Sequence, residues 1–194
     1  GYTASTPTYT RNMSKLDFGT QTSSSVTNMV SGNRNYFQCV GSSTIAYTLG
    51  GITTNAYSSG VTIIDKITKA TSTTAVNGSS LTVAKGFAVA VQSQTNGYYV
   101  AGANTSSVNI NTIDKIVLST GTTSAIAAVL TQPMLSGAGT ANISTGFITG
   151  GDNGGSIQSV DKLQFSDETM SVSGTATTTA NTVTSCNGIS TGGQ

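Results

Sequence analysis

The 194-residue chain has no histidine and no tryptophan. Without histidine it lacks the commonest general base, the commonest zinc ligand and every Ser-His or Cys-His pairing, which excludes the usual hydrolytic and zinc-centred sites. Charge is almost as scarce: eight Lys and Arg stand against seven Asp and Glu, 8% of the residues, for a formal net charge of +1. Cations scattered singly along a chain do not make the clustered phosphate-binding surface that nucleic acid needs, nor a polybasic membrane anchor. No run of eighteen apolar residues occurs, and the N-terminus lacks the basic start and apolar core of an intact signal peptide, so no membrane insertion is expected. Because the chain opens on Gly1, a processed or excised piece is the expectation. The two cysteines, Cys39 and Cys186, are read as small buried thiols in preference to one disulfide.

What fills the gap left by charge is Ser, Thr, Gly and Asn, and these are arranged periodically. TIDKIVLSTGTTS (Thr112 to Ser124) has counterparts in SVDKLQFSDETMS (Ser159 to Ser171), TIIDKITKATSTT (Thr62 to Thr74) and NMSKLDFGTQTSS (Asn12 to Ser24). Each copy follows an aromatic strand that ends in small residues: AYTLGG (Ala46 to Gly51), GYYVAG (Gly97 to Gly102), GFITGG (Gly146 to Gly151) and, at the start, GYTAS. A further strand-like segment precedes each aromatic one, as NYFQCVG (Asn35 to Gly41), GFAVAVQ (Gly86 to Gln92), MLSGAGT (Met134 to Thr140) and NTVTSCNG (Asn181 to Gly188). Four repeats of about fifty residues, each with four short β-rich segments and turn chemistry between them, predict an all-β, four-bladed β-propeller in a single domain over residues 1–194. The expected blades are residues 1–30 plus 181–194, 35–77, 86–130 and 134–175. The chain starts at a second strand and stops after a first strand, so the C-terminal strand is expected to pair with the N-terminal ones and close the ring.

The aromatic strand ending in Gly-Gly (Tyr47, Gly50, Gly51; Phe147, Gly150, Gly151) resembles the kelch-like repeat, and the GYYVAG…TIDKIVLSTGTTS wording looks like the propeller repeats of bacteriophage tail-fibre and other virion appendage proteins, notably those of cyanophages. The resemblance covers the whole chain. It implies a non-enzymatic virion or extracellular protein that recognises a host-surface glycan, or else packs against other virion or appendage chains as a purely structural propeller. It also leaves room for a homo-oligomer within a longer fibre. A polysaccharide hydrolase is the remotest reading, since no His, no paired acids and no nucleophile motif are present. No cofactor and no metal are expected.

The recurring Asp-Lys pair is read structurally. Alternation puts Asp114 on the face of Ile116 and Leu118, so Asp65, Asp114 and Asp161 are expected to be buried staples held by backbone N–H groups of the Gly-Gly corner (Gly50, Gly51, Gly102, Gly150, Gly151). The neighbouring Lys is expected to lift its ammonium into water. Copies one per blade are too far apart for a carboxyl pair, which needs about 5 to 10 Å.

Binding is expected in the variable loops after the second strands, on one face of the ring. Tyr9, Asn55, Tyr57, Asn104, Asn109 and Asn111 offer ring faces plus neutral donors and acceptors, which suits sugar hydroxyls and C–H faces. Arg34 and Lys85, in matching loops before the first strands, and Arg11 would accommodate a modest acidic group; the bland reading is a solvated loop charge. Asp152 and Asn153 complete the candidates. With a single carboxylate, Asp152-Asn153-Gly154-Gly155-Ser156 is a tight turn and not a calcium loop.

Overall fold

Short segments rich in Val, Ile, Thr and Tyr, punctuated by Gly, Ser and Asn, become antiparallel strands throughout. The computed structural model describes residues 12–26 and 31–173. An N-terminal hairpin pairs β1 (Met13–Asp17) with β2 (Thr22–Val26). Sheet I runs in chain order through β3 (Gln38–Gly41), β4 (Ile45–Leu49), β5 (Ile64–Thr68) and β6 (Thr73–Val76). Sheet II contains β7 (Lys85–Gly86), β8 (Val89–Gln92), β9 (Asn96–Asn104), β10 (Asn109–Val117) and β11 (Thr123–Ala125); β7 and β8 both pair with β9. Sheet III again follows chain order, through β12 (Ala138–Ala141), β13 (Thr145–Thr149), β14 (Val160–Gln164) and β15 (Thr169–Val172). Among the described residues there is no α-helix, only a 3-10 turn at Tyr57–Ser59, and no helix is long and apolar enough to cross a membrane. The closing strand expected near residues 181–188 and the opening strand over residues 1–5 lie outside the described residues, as do Tyr9, Arg11 and Cys186.

The turns explain why one hairpin geometry recurs. Between the first two strands of each sheet, a Ser or Asn side chain accepts backbone N–H groups two and three residues on: Ser42 from Thr44 and Ile45, Ser93 from Thr95 and Asn96, Asn142 from Ser144 and Thr145. These local bonds compete with strand continuation and reverse the chain. In the hairpins that end each sheet, one residue takes a left-handed conformation: Ser72, Gly121 and Glu168, matched by Gln21 in the N-terminal hairpin. That is the conformation in which a short β-hairpin loop commonly ends.

Successive sheets pack face to face through two apolar clusters. Tyr47, Leu49 and Ile64 of sheet I meet Tyr99, Ile116 and Leu118 of sheet II. Val91, Tyr98, Val100 and Ile113 of sheet II meet Ile148 and Leu163 of sheet III. Strand β9 is buried along nearly its whole length because both faces are covered, which is why it reads as a continuous apolar run and not as an alternation. Each large side chain fully buried in these clusters contributes about 1.5–3 kcal/mol. The first strands line a common recess: Cys39 and Val40 from β3, Ala90 and Gln92 from β8, Gly139 and Ala141 from β12. The Gln92 amide ties two of them, donating to Gly41 O and accepting from Gly41 N. Cys39 is an exposed free thiol, which corrects the buried-thiol expectation for this position: β3 lines the open recess between the first strands.

Candidate functional site

All three Asp staples are buried in the strand that follows the aromatic strand of their sheet, but what holds them differs from expectation. Asp65, Asp114 and Asp161 are 0%, 1% and 3% exposed and sit opposite Thr48, Tyr99 and Ile148 in the sheet register. Their partners come from the lead-in to the first strand, and not from N–H groups of the Gly-Gly corner. Ser31 donates its hydroxyl to Asp65; Thr82 donates both its backbone N–H and its hydroxyl to Asp114; the Thr131 hydroxyl spans both oxygens of Asp161 at 2.8 and 3.0 Å. Three residues after each hydroxyl stands the second anchor: Arg34, Lys85 and Met134.

Arg34 and Lys85 are therefore corrected from open loop cations to buried ones. Arg34 is 2% exposed; its guanidinium reaches Asp65 at 2.6 Å, donates to Gly50 O and Ile63 O, and bonds the Thr48 hydroxyl. Lys85 is fully buried, 3.0 Å from Asp114 and donating to Tyr99 O and Thr112 O. Burial pushes the Lys85 ammonium below its ordinary value, with Asp114 opposing the shift. A charge so placed must be paired, because desolvation costs more than a solvated loop charge ever would. In sheet III the cation is absent and Met134 fills the place; burial accordingly raises the Asp161 carboxyl above its ordinary value, with the Thr131 bonds opposing. Lys115, whose ammonium was expected in water, meets Glu168 of the β14–β15 turn at 2.8 Å.

The Gly-Gly corner does a different job. Gly51 and Gly102 donate their N–H groups to Lys85 O and Met134 O, so each corner grips the lead-in of the next sheet. A Cβ on Gly51 would lie 2.6 Å from Asn35 O, and the residue's φ is +98°. Gly50, Gly150 and Gly151 are left-handed as well, and where the first Gly is replaced, Ala101 still adopts φ 60°.

Among the loops after the second strands, the structure brings together part of the candidate set. The Asn109 amide donates to Asp152 O at 3.0 Å and approaches Asn153 Oδ1 at 3.5 Å, joining the loops of sheets II and III. Asp152 accepts Gly154 N through its carboxylate, closing the tight turn read from the sequence. Asn104 and Asn111 are spent on their own scaffold: Asn104 accepts Ser106 N and Val108 N at the hairpin tip, and Asn111 donates to Leu130 O. Asn55 is exposed in the sheet I loop. Over residues 50–61, 103–112 and 150–159 the only charged side chain is Asp152. Among the described residues no three metal-ligating side chains converge.

Tyr57 points at a feature that the sequence reading missed. Its ring packs edge-on against Phe87, with centroids 4.8 Å apart, while Tyr36 stacks on Phe87 at 3.9 Å. Tyr36 and Phe87 hold corresponding places, two residues after Arg34 and Lys85, and both are left-handed, with φ 51° and 57°; Ser136, two after Met134, has φ 56°. These three residues also bond in series across the sheets, Phe87 N to Tyr36 O and Ser136 N to Phe87 O. A bulky left-handed residue costs about 1–3 kcal/mol and persists only where the surroundings impose it. The bend splits the first strand of sheet II into β7 and β8 and turns the aromatic ring out of the core. Tyr36 and Tyr57 each remain 43% exposed. Alignment of the three lead-ins on Arg34, Lys85 and Met134 was the one signal in the sequence that could have found them.

The fold is similar to that of YjhT. The match to the solved structure of YjhT has a TM-score of 0.72 at 12% sequence identity, covering 88% of this chain and 61% of that one. At that identity the likeness speaks for the fold alone, and the chain spans about three-fifths of its neighbour's length. No protein-family model and no curated protein matches the chain. Chemically, the loops offer amides, hydroxyls and two half-exposed phenol rings, while the two lead-in cations, Arg34 and Lys85, are buried against Asp65 and Asp114.

Proposed function

We propose that the chain is a four-bladed kelch-like β-propeller of a virion tail fibre or similar extracellular appendage, binding a host-surface glycan through the loops that follow the second strands. Sheets I, II and III are three blades, and the hairpin β1–β2 supplies the outer strands of the fourth. It acts without catalysis. One observation carries the reading: the loops of sheets II and III, linked by Asn109 to Asp152 and Asn153, present a nearly uncharged polar surface on a rigid sheet scaffold. Loops fixed by a scaffold are where recognition residues concentrate, and uncharged amides and phenols match sugar hydroxyls and C–H faces.

The test is retention of purified protein on a glycan array and co-sedimentation with host envelope material. Specific retention, weakened by Tyr57→Ala or Asn109→Ala, is the expected result. Absence of retention on both would overturn the reading. A purely structural propeller is the second reading, and exposed apolar side chains on the N-terminal hairpin favour it: Leu16 is 53% and Phe18 87% exposed. It predicts association with other appendage chains or with further copies of the chain, unaffected by either loop substitution.

A further inference from the structure

We infer that Tyr36 and Tyr57, set on Phe87, form a stacking platform for one neutral pyranose residue. The inference rests on the glycan-binding reading and names the class of sugar that the site takes.

Three observations point the same way. First, the left-handed backbone shared by Tyr36, Phe87 and Ser136 accompanies the inter-sheet bonds through Phe87 N and Ser136 N, and in sheets I and II the bend carries an aromatic ring, with Tyr36 held outside the core. Secondly, the rings have faces to offer. Tyr36 covers Phe87 from one side and Tyr57 closes its edge, which leaves the outer surfaces of both tyrosines open, each 43% exposed. A pyranose presents a patch of C–H groups of matching size on one face and hydroxyls around its rim, so a ring can stack while neighbouring amides and phenols bond the rim.

The third observation is the charge of the surroundings. The two cations nearest in sequence, Arg34 and Lys85, are buried and committed to Asp65 and Asp114, and the adjoining loop 50–61 carries no charge. A uronate or sialate carboxylate placed here would lose water without meeting a cation, which selects against acidic sugars.

The test is affinity electrophoresis through gels containing dextran, galactomannan or alginate, with the wild-type chain, Tyr36→Gly and Tyr57→Phe. Retardation by a neutral polysaccharide and none by alginate is expected. Tyr36→Gly should weaken it about tenfold or more by removing a stacking ring, yet melt close to wild type, because the strain that glycine relieves at φ near 51° offsets the lost stack on Phe87. Tyr57→Phe should weaken it only a few fold, since the ring stays. Retardation unchanged in Tyr36→Gly, retardation by alginate alone, or a Tyr36→Gly chain that melts well below wild type would each overturn the platform while the glycan reading stands. If no gel retards the chain but envelope material or other glycans retain it, the platform for neutral pyranose fails by itself. If nothing retains it, both fail.

Discussion

Sheets II and III solve the same packing problem with different chemistry. Each buries an Asp in the strand that follows its aromatic strand and clamps it with a threonine hydroxyl from the lead-in. In sheet II, Lys85 pairs with Asp114; in sheet III, Met134 stands where the lysine would be, and among the described residues Asp161 meets no cation. The difference teaches that the hydroxyl clamp is the shared structural element and that the ion pair is an addition to it. A buried pair gains little over apolar packing, but once made it is costly to break from one side.

The largest effect should come from breaking the pair in sheet I, the tightest of the series. Asp65→Ala leaves the Arg34 guanidinium buried without its counter-ion, and unfolding in urea should report a loss of about 3–5 kcal/mol. Next, Lys85→Met rebuilds sheet II in the image of sheet III. At neutral pH the cost should be about 3 kcal/mol, read from urea unfolding of the variant beside wild type. A cost near zero would mean that Asp114 does not need the cation.

Asp161→Asn sharpens the comparison from the other side. The folded carboxyl titrates above its ordinary 3.8, so the folded chain keeps its proton longer than the unfolded one. Its contribution is therefore fully present below 3.8 and is lost as pH rises from there through the raised value. An asparagine, which still accepts the Thr131 hydroxyl, should flatten that decline and leave stability at neutral pH within about 1 kcal/mol of wild type. The smallest effect belongs to Glu168→Gln. Its pair with Lys115 is about one-quarter exposed on both sides, and thermal melting should register roughly 0.5 kcal/mol or less.

Much of the fold was legible because the repeat carries it. Strand identity follows from β-branched and aromatic residues bounded by Gly, Ser and Asn, and the left-handed corner from Gly-Gly, with Ala101 tolerated at one position. Burial of the Asp staples also followed from alternation, since Asp114 shares a face with Ile116 and Leu118. Their partners did not follow. Ser31, Thr82 and Thr131 lie more than thirty residues before the carboxylates they clamp, except for Thr131 at thirty, and nothing local distinguishes them in a chain full of hydroxyls. Arg34 and Lys85 read as solvated charges for the same reason, because the acid that justifies their burial arrives only when the first strand's lead-in folds against the third strand. Of the loop candidates, Asn104 and Asn111 looked like ligand groups but complete their own scaffold, a distinction of bond partners that residue type does not encode.

By itself the sequence determined that this is an all-β chain of repeating antiparallel sheets with few charges and no imidazole chemistry, since period, turn residues and composition are local properties. Only the tertiary structure decided which polar groups are consumed and which remain open: it buried Arg34 and Lys85 against Asp65 and Asp114 and turned Tyr36 outward on Phe87. Both outcomes depend on contacts between sheets, where desolvation and inter-sheet hydrogen bonds outweigh the preferences of any residue for its own segment.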